Sequence, residues 1–490
     1  MKSRDTHRSP AEHVGTSAAG RASIRGTRRV CSVLAAVAIV GGPALTVVVA
    51  TTWPVLAGAQ VAGVSGADTA VRTVDTELDS LIRLVAETSP AVRAAVARAE
   101  AARARVGPAG ARPDPMLMAG IQNLPFAEPG FGDFMTMKMV GLGQTFPYPG
   151  KLSLRTRAAE HELLSAQALL HGVRLQVEEA VERAYYDLAY LDRALEIVGR
   201  NQRLLVDFMR VTEARYGVGT GGQEEVLRVR VEAARLGEEA VALAEQRRAV
   251  LAQLNAVLDR PSDTPVAAPA IPRRVSRAAV ADSAQEIRFV SAALGARAAD
   301  SPLPPLETLQ TLAIQNNPLL RAHEAMIAAQ AARVELARKE HLPDFDVSLS
   351  YGQRDGFSDM VSAQISIPLP VQRGRKQDLL VAEALSELIA LRAEHDDQVN
   401  GLRADVARLH AELERDRAQL ALYVKAILPQ GRAALASATA GYQVGRADFL
   451  TLLDAQATLF TYETTYFRVL SDFARTLADL ERVVGEEIVR

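Results

Sequence analysis

Asp114-Pro-Met-Leu-Met-Ala-Gly-Ile-Gln-Asn-Leu124, then a Pro/Gly-rich break, then Phe134-Met-Thr-Met-Lys-Met-Val-Gly-Leu-Gly-Gln-Thr-Phe-Pro-Tyr-Pro-Gly-Lys151: two short extended segments flank a loop in a chain that otherwise reads as long helices. A similar unit returns between Pro343 and Lys376 with cleaner alternation. Phe345, Val347, Leu349 and Tyr351 take one parity; Asp346, Ser348 and Ser350 take the other. Val361, Ala363, Ile365 and Ile367 alternate with Ser362, Gln364 and Ser366. Period-two alternation over about nine residues suits a membrane-spanning β-strand, one face in lipid and one in a wet lumen. Strands are predicted at about 115–124, 134–146, 345–353 and 360–368. Phe345, Val347, Leu349, Val361 and Ile365 are expected to face lipid. Asp346, Ser348, Ser350 and Gln364 are expected to face the lumen, joined by Lys138, whose ammonium needs water. By that reasoning Met135, Met137 and Met139, which alternate with Lys138, point to lipid rather than to a metal.

Working outward, a seam of apolar residues runs through Leu163, Ala166, Leu170, Val173, Val177, Val181, Ala184, Leu188, Leu191, Leu195 and Val198. Its steps of three and four are those of a packed helix. No breaker intervenes between Leu152 and Tyr216, so this helix is about 95 Å long. Gly217 to Gly222 turns the chain, and a second long helix returns to about Leu258. The pattern then repeats. Leu84-Val-Ala-Glu-Thr-Ser-Pro90 is echoed by Leu312-Ala-Ile-Gln-Asn-Asn-Pro318, Arg112-Pro-Asp114 by Leu342-Pro-Asp344, and Tyr216-Gly-Val-Gly219 by Tyr442-Gln-Val-Gly445. The offset stays at 226 to 230 residues, which marks an internal duplication. The repeats are set at 79–260 and 306–490. A Pro/Ala/Ser-rich linker at 261–305 joins them and holds a short helix around Ser276 to Leu294.

The N-terminus carries Arg21, Arg25, Arg28 and Arg29, an apolar run from about Val33 to Val49, and Ala57-Gly-Ala59. This is the order of an export signal, cleaved after Ala59. Gly41, Gly42 and Pro43 interrupt the run and disfavour the competing reading, an uncleaved anchor. Residues 60–78 read as a linker, with the first helix starting near Thr76. The single cysteine, Cys31, leaves no disulfide framework and no Cys-based metal site. A net charge of -2 over 490 residues disfavours nucleic acid as a partner.

Motifs for chemistry are weak. Gly217-Val-Gly-Thr-Gly-Gly222 matches a dinucleotide fingerprint by letter, but that fingerprint needs a preceding strand and here a helix precedes it. His161, His171, His323, His341, His395 and His410 are scattered and read as surface or packed side chains. Neither a cofactor nor a catalytic constellation is expected.

The strand exits Gln144-Thr-Phe-Pro-Tyr-Pro-Gly-Lys151 and Ile367-Pro-Leu-Pro370, the two Tyr-x-Val-Gly turns, the Ser-Pro and Asn-Pro openings, and Asp448-Phe-Leu-Thr-Leu-Leu-Asp-Ala-Gln456 resemble the TolC-like outer-membrane efflux proteins. The resemblance covers almost all of the chain beyond residue 59. Asn123, the Met-x-Met-x-Met run and Pro-x-Pro-Gly-Lys are most similar to the branch serving heavy-metal pumps of the resistance-nodulation-division type, for copper/silver or cobalt/zinc/cadmium. The resemblance implies a mainly α fold with a small transmembrane β part. It implies a homotrimer whose twelve strands form an outer-membrane barrel on a periplasmic helical barrel, working with a periplasmic membrane-fusion adaptor and a proton-driven inner-membrane pump. It also implies a gate at the helical-hairpin turns, carried here by Tyr442, Arg446, Asp448 and Asp454. Charge and position alone, apart from the resemblance, suggest a tie from Arg446 to Glu224 or Glu225 of the other turn. Asp448 reads equally well as a helix cap. Strand arithmetic agrees independently: four strands cannot close a barrel, single-chain barrels start at about eight, and open edges are not tolerated in lipid. The rival readings are a periplasmic coiled-coil adaptor or scaffold without a barrel, and a duct for drugs or other small organic molecules.

Overall fold

The computed structural model describes residues 66–126, 129–267, 269–279 and 303–489. The expected export signal lies outside them. Ten helices and one four-stranded sheet are seen in this part of the chain. Helix α1 (Gly66–Thr88) begins well before Thr76, so the expected linker is helical from Gly66 onward. It is followed by α2 (Pro90–Gly110), β1 (Met116–Gln122), β2 (Met137–Phe146), α3 (Lys151–Gly217) and α4 (Gln223–Val257). After a short α5 (Arg273–Ala279), the second repeat runs α6 (Leu306–Asn316), α7 (Pro318–Lys339), β3 (Phe345–Gln353), β4 (Met360–Ser366), α8 (Gln377–Leu422), α9 (Leu428–Gln443) and α10 (Phe449–Val484).

The helix boundaries follow from local chemistry. Helix α3 has 67 residues and spans about 100 Å. It starts directly after Gly150, which holds a φ of 93° that a side chain would resist. Both α2 and α7 start on a proline, whose missing N–H costs nothing in a first turn. At α7 the cap is explicit: Asn317 Oδ1 accepts from the N–H groups of Leu319 and Leu320. Its Nδ2 donates to the carbonyl of Val483 at 2.8 Å, so the Asn-Pro opening also ties α7 to α10. Between α8 and α9 the helix widens into a π turn at Tyr423–Ile427, just before Pro429. The proline ring would otherwise press on the carbonyl of Lys425, and the wider turn relieves that clash.

The core is a long stripe rather than a ball. Its largest cluster gathers Leu78 and Val85 of α1, Val181, Tyr185 and Leu188 of α3, Leu409 and Leu413 of α8, and Phe473 and Leu477 of α10. A second cluster continues along the hairpins through Leu191, Leu205, Phe208, Leu236 and Phe449. The inter-repeat segment belongs to the first: Val266, Val275, Ala278, Ala279 and Leu303 are buried in it. That segment is therefore part of the packing and not a free linker. Helix α5 covers Arg273–Ala279, and the rest of the expected Ser276 to Leu294 span, from residue 280, lies outside the described residues.

The strands form one antiparallel sheet in the order β1-β2-β3-β4. The two repeats meet at β2–β3, and β1 and β4 are both left as open edges. Among the described residues no helix is long and apolar enough to cross a membrane.

Candidate functional site

Opposed residues in an antiparallel sheet share a face, so the register sorts every strand residue. One row reads Leu117, Leu142, Leu349, Ala363; the row two residues outward reads Ala119, Val140, Tyr351, Val361. Val347 stands opposite Ile365, and Phe345 opposite Phe146, on the same face. The other face carries Met118, Gly141, Ser350 and Ser362 in one row and Met116, Gly143, Ser348 and Gln364 in the next. Asp346 lies one row further inward, opposite Ser366, and accepts from the Thr145 hydroxyl at 2.6 Å. The two faces differ in access. Leu142 and Leu349 are 59% and 57% exposed, whereas Gly141, Gly143 and Gly352 are buried and Met137 is 8% exposed. Along the central strands β2 and β3 the glycine-, serine- and methionine-bearing face is thus the more sheltered one, while on the edge strands the same face is open, with Met116 and Met360 60% and 42% exposed.

This register corrects the reading of β2. Lys138 stands opposite Ile121 and Gln353, on the aliphatic face, and not beside Ser348 and Ser350. Met137 and Met139 take the sheltered face, while Met135 precedes the strand. Alternation within β2 fixes which residues go together but not which side they take. Gly141 and Gly143 carry no hydropathy signal, which leaves Lys138 as the one cue to facing within β2. Lys138 sits at the outer end of the sheet, with its ammonium 4.6 Å from the centre of the Phe131 ring. A long stem can hold that charge at an interface while its carbons lie on apolar surface.

At the inner end of the sheet, Lys151 joins the two repeats. Its side chain is 2% exposed and donates to Asp344 at 2.9 Å and Glu340 at 3.1 Å. Asp344 also accepts from the Tyr148 N–H at 2.8 Å. Burial pushes the Asp344 carboxyl up, but the hydrogen bonds from Lys151 and Tyr148 outweigh it and hold the pKa below its ordinary value. Pro-Gly-Lys and Leu-Pro-Asp were both visible as motifs; that they bond to each other was not.

The helical-hairpin turns have one backbone geometry in both repeats. Thr220 and Gly221 N–H groups converge on the Arg215 carbonyl, and Arg446 and Ala447 N–H groups on that of Gly441. Gly219 and Gly445 hold φ values of 75° and 73°. The first turn follows helix α3, so its glycines serve the turn and not a nucleotide. The side chains differ. Tyr216 is exposed, while Tyr442 is buried against Phe449 and donates to Glu225 at 3.2 Å. The Arg215 guanidinium lies over the Tyr442 ring at 4.7 Å. Burial, then the Glu225 carboxylate, push the Tyr442 phenol above its ordinary value. Asp448 caps α10 by accepting from the Leu450 N–H. The expected tie from Arg446 is not made: Glu225 takes Tyr442, Glu224 takes Arg228, and Arg446 and Asp454 are exposed without an ion pair among the described residues. Sequence reasoning missed Arg215 and Glu225 as the partners of Tyr442, because they lie in the other repeat.

Further up the hairpins, the Gln456 that ends the Leu-Asp-Ala-Gln motif donates to buried Asn201 at 2.8 Å, pinning α10 to α3. His323 and His395 stack at 5.9 Å, so two of the scattered histidines do meet. Among the described residues no three His, Cys, Asp or Glu side chains gather in a metal-binding group.

Residues 81–259 and 309–486 match the model of the outer membrane efflux protein family. The chain belongs to that family. It is an outer-membrane efflux channel protein with a long helical periplasmic part. Among curated proteins it is 24% identical over 343 residues to the cobalt-zinc-cadmium resistance protein CzcC of Cupriavidus metallidurans, covering 69% of this chain and 74% of the relative. Among solved structures it resembles VceC of Vibrio cholerae, with a TM-score of 0.68, 20% identity, and 85% and 98% of the two chains covered. It equally resembles CusC, whose structures record conformational changes accompanying folding and transmembrane channel formation; the TM-score is 0.69 at 17% identity, covering 84% and 93%. At these identities the structural likeness is one of fold. In this outer membrane efflux protein the paired turns lie at the far end of the hairpins from the sheet.

Proposed function

We propose that three copies of this chain close a twelve-stranded barrel and serve as the passive exit duct of a tripartite pump for metal cations, catalysing no reaction. The observation that carries this reading is the sheet: four strands with one face mostly apolar between Lys138 at its outer end and Gln144 at its inner end, the other face bearing Ser348, Ser350, Ser362, Gln364 and glycines, and two unpaired edges. An unpaired edge in lipid leaves several kcal/mol of unmet hydrogen bonding per group, and pairing β1 of one copy with β4 of the next removes both edges at once. In the closed barrel Val347, Leu349, Val361 and Ile365 meet lipid, and Asp346, Ser348, Ser350 and Gln364 line the pore. Lys138 lies at the outer rim. The metal substrate rests on the likeness to CzcC, a cobalt-zinc-cadmium resistance protein by name.

The gate of this duct is the junction of the two turns, closed within each chain by Tyr442, Glu225 and Arg215. Asp454, exposed near the start of α10, supplies one carboxylate per chain to a ring around the axis, which attracts cations. A periplasmic adaptor and an inner-membrane pump dock on the helical part. The test is direct. Purified protein should migrate as a trimer by native mass spectrometry and open steady conductance in planar bilayers, and deletion of its gene should sensitise cells to a subset of cobalt, zinc, cadmium, copper and silver. A monomer without conductance would overturn the duct; unaltered tolerance to all five metals would overturn the substrate.

A further inference from the structure

Five of the nine methionines, Met116, Met118, Met137, Met139 and Met360, fall on the glycine- and serine-bearing face of the sheet. Three of them gather at one place. Gly120, Met139, Gly352 and Met360 stand opposite one another across all four strands. Met137, one row further out on the same face, turns back over Gly352: its Sδ lies 2.6 Å from the point where a Cβ on that glycine would stand. Gly352 therefore forms a floor without a side chain, covered by Met137 and flanked in register by Met139 on β2 and by Met360 on β4, whose side chain is 42% exposed. Adjacent strands are about 4.8 Å apart, so Met139 and Met360 are separated by about 10 Å of backbone. Two unbranched side chains with three rotatable bonds each span that gap. Met118 lies diagonal to Met139, its methyl 3.4 Å from the Cβ position of Gly143.

The geometry points to a thioether site for soft monovalent cations, Cu(I) or Ag(I), held by Met137, Met139 and Met360 near the outer end of the pore. It rests on the duct reading for the statement that this face meets the pore. Thioethers are neutral, soft donors that suit Cu(I) and leave hard or doubly charged ions uncompensated. They have no proton to lose, so the site works at any pH the periplasm offers. No carboxylate stands in the Met139–Gly352–Met360 row; Asp346 is at the opposite end of the strand. A site of this kind favours entry without trapping, which conduction requires. It would make the duct better suited to thiophilic monovalent ions than to zinc or cobalt.

Methionines that merely cover bare glycines would have the same packing, so the test replaces sulfur and keeps bulk. Membrane-extracted protein, expressed from a gene encoding Cys31→Ser, is titrated in detergent with silver nitrate by calorimetry, and its silver–sulfur coordination is read by X-ray absorption. The Met137→Leu/Met139→Leu/Met360→Leu variant keeps apolar volume and is expected to lose silver affinity by about tenfold or more, about 1.4 kcal/mol per decade. Met209→Leu/Met326→Leu, on helices, is expected to bind as the parent does, and zinc titrations are expected to be the same in all three. If the triple variant fails to assemble, Met139→Leu alone is expected to weaken silver binding by about threefold. Trimer mass and conductance are recorded on the same samples. A conducting trimer whose silver affinity is untouched by the leucines refutes the thioether site alone; protein that forms no conducting trimer refutes the duct reading beneath it.

Discussion

Replacing Lys151 by methionine removes one ammonium and keeps the stem. Lys151 bridges β2's exit to the start of β3, and its two acceptors come from the other repeat. Its side chain is 2% exposed, but Asp344 and Glu340 are 29% and 36% exposed. Breaking a fully buried pair costs about 3–5 kcal/mol because the remaining charge is stranded, and an exposed pair is worth about 1 kcal/mol or less. Here the stranded carboxylates can rehydrate in part, which places Lys151→Met at about 2–3 kcal/mol between those bounds. Denaturation in detergent, followed by circular dichroism, measures it. A double-mutant cycle with Asp344→Asn should give a coupling of about 1–2 kcal/mol, as residues in contact do. The Asp344 pKa is lowered in the fold, so its contribution is present above the unfolded carboxylate value and is lost as pH falls through the lower folded value. The gap between the parent and Asp344→Asn should therefore hold at neutral pH and close only in acid. A Lys151→Met variant within about 0.5 kcal/mol of the parent, or strict additivity with Asp344→Asn, would refute the reasoning.

Tyr442→Phe deletes the bond to Glu225, a charge-assisted bond worth about 1.5–3 kcal/mol, and should raise the open fraction in planar bilayers by about tenfold, while Arg446→Ala should leave the intrachain tie intact; equal conductance in the parent and Tyr442→Phe would move the gate elsewhere. Leu349→Arg should cost about 2–4 kcal/mol of assembly if mid-bilayer, and Ser350→Arg much less; equal tolerance in a trimer-yield assay would contradict the facing. Glu182, pushed up to about 8 by burial and by Glu481 against the pull of Arg274, binds its proton more tightly in the fold, so its contribution is full below the unfolded carboxylate value and lost as pH rises through about 8. Glu182→Gln should flatten the fall of the melting temperature across that range, and an unchanged slope would discount the shift.

The duplication, the strands and the long helices were legible because each repeats a period: 226 to 230 residues between halves, two along strands, three and four along helices. The facing of Lys138 was not legible, since parity within β2 is fixed by neighbours on β3 that a single strand does not reveal. Tyr442 was singled out, but its partners Arg215 and Glu225 come from the first repeat, and charge alone favoured Arg446. The same holds for Lys151 with Asp344 and for Gln456 with Asn201: the motifs that hold Lys151, Asp344 and Gln456 were visible, Asn201 carried no signal, and each bond crosses between repeats. The N-terminal linker was misjudged because small residues such as those around Gly66 carry little helical periodicity.

The central claim is that one face of the sheet meets lipid and the other meets water in a barrel closed by three copies. Spin labels placed singly from Val347 to Tyr351, in a Cys31→Ser background and in reconstituted bilayers, measure it residue by residue. Labels at 347, 349 and 351 should collide with oxygen dissolved in lipid, and labels at 348 and 350 with a water-soluble nickel complex. Uniform accessibility along β3, or the opposite alternation, would contradict the account.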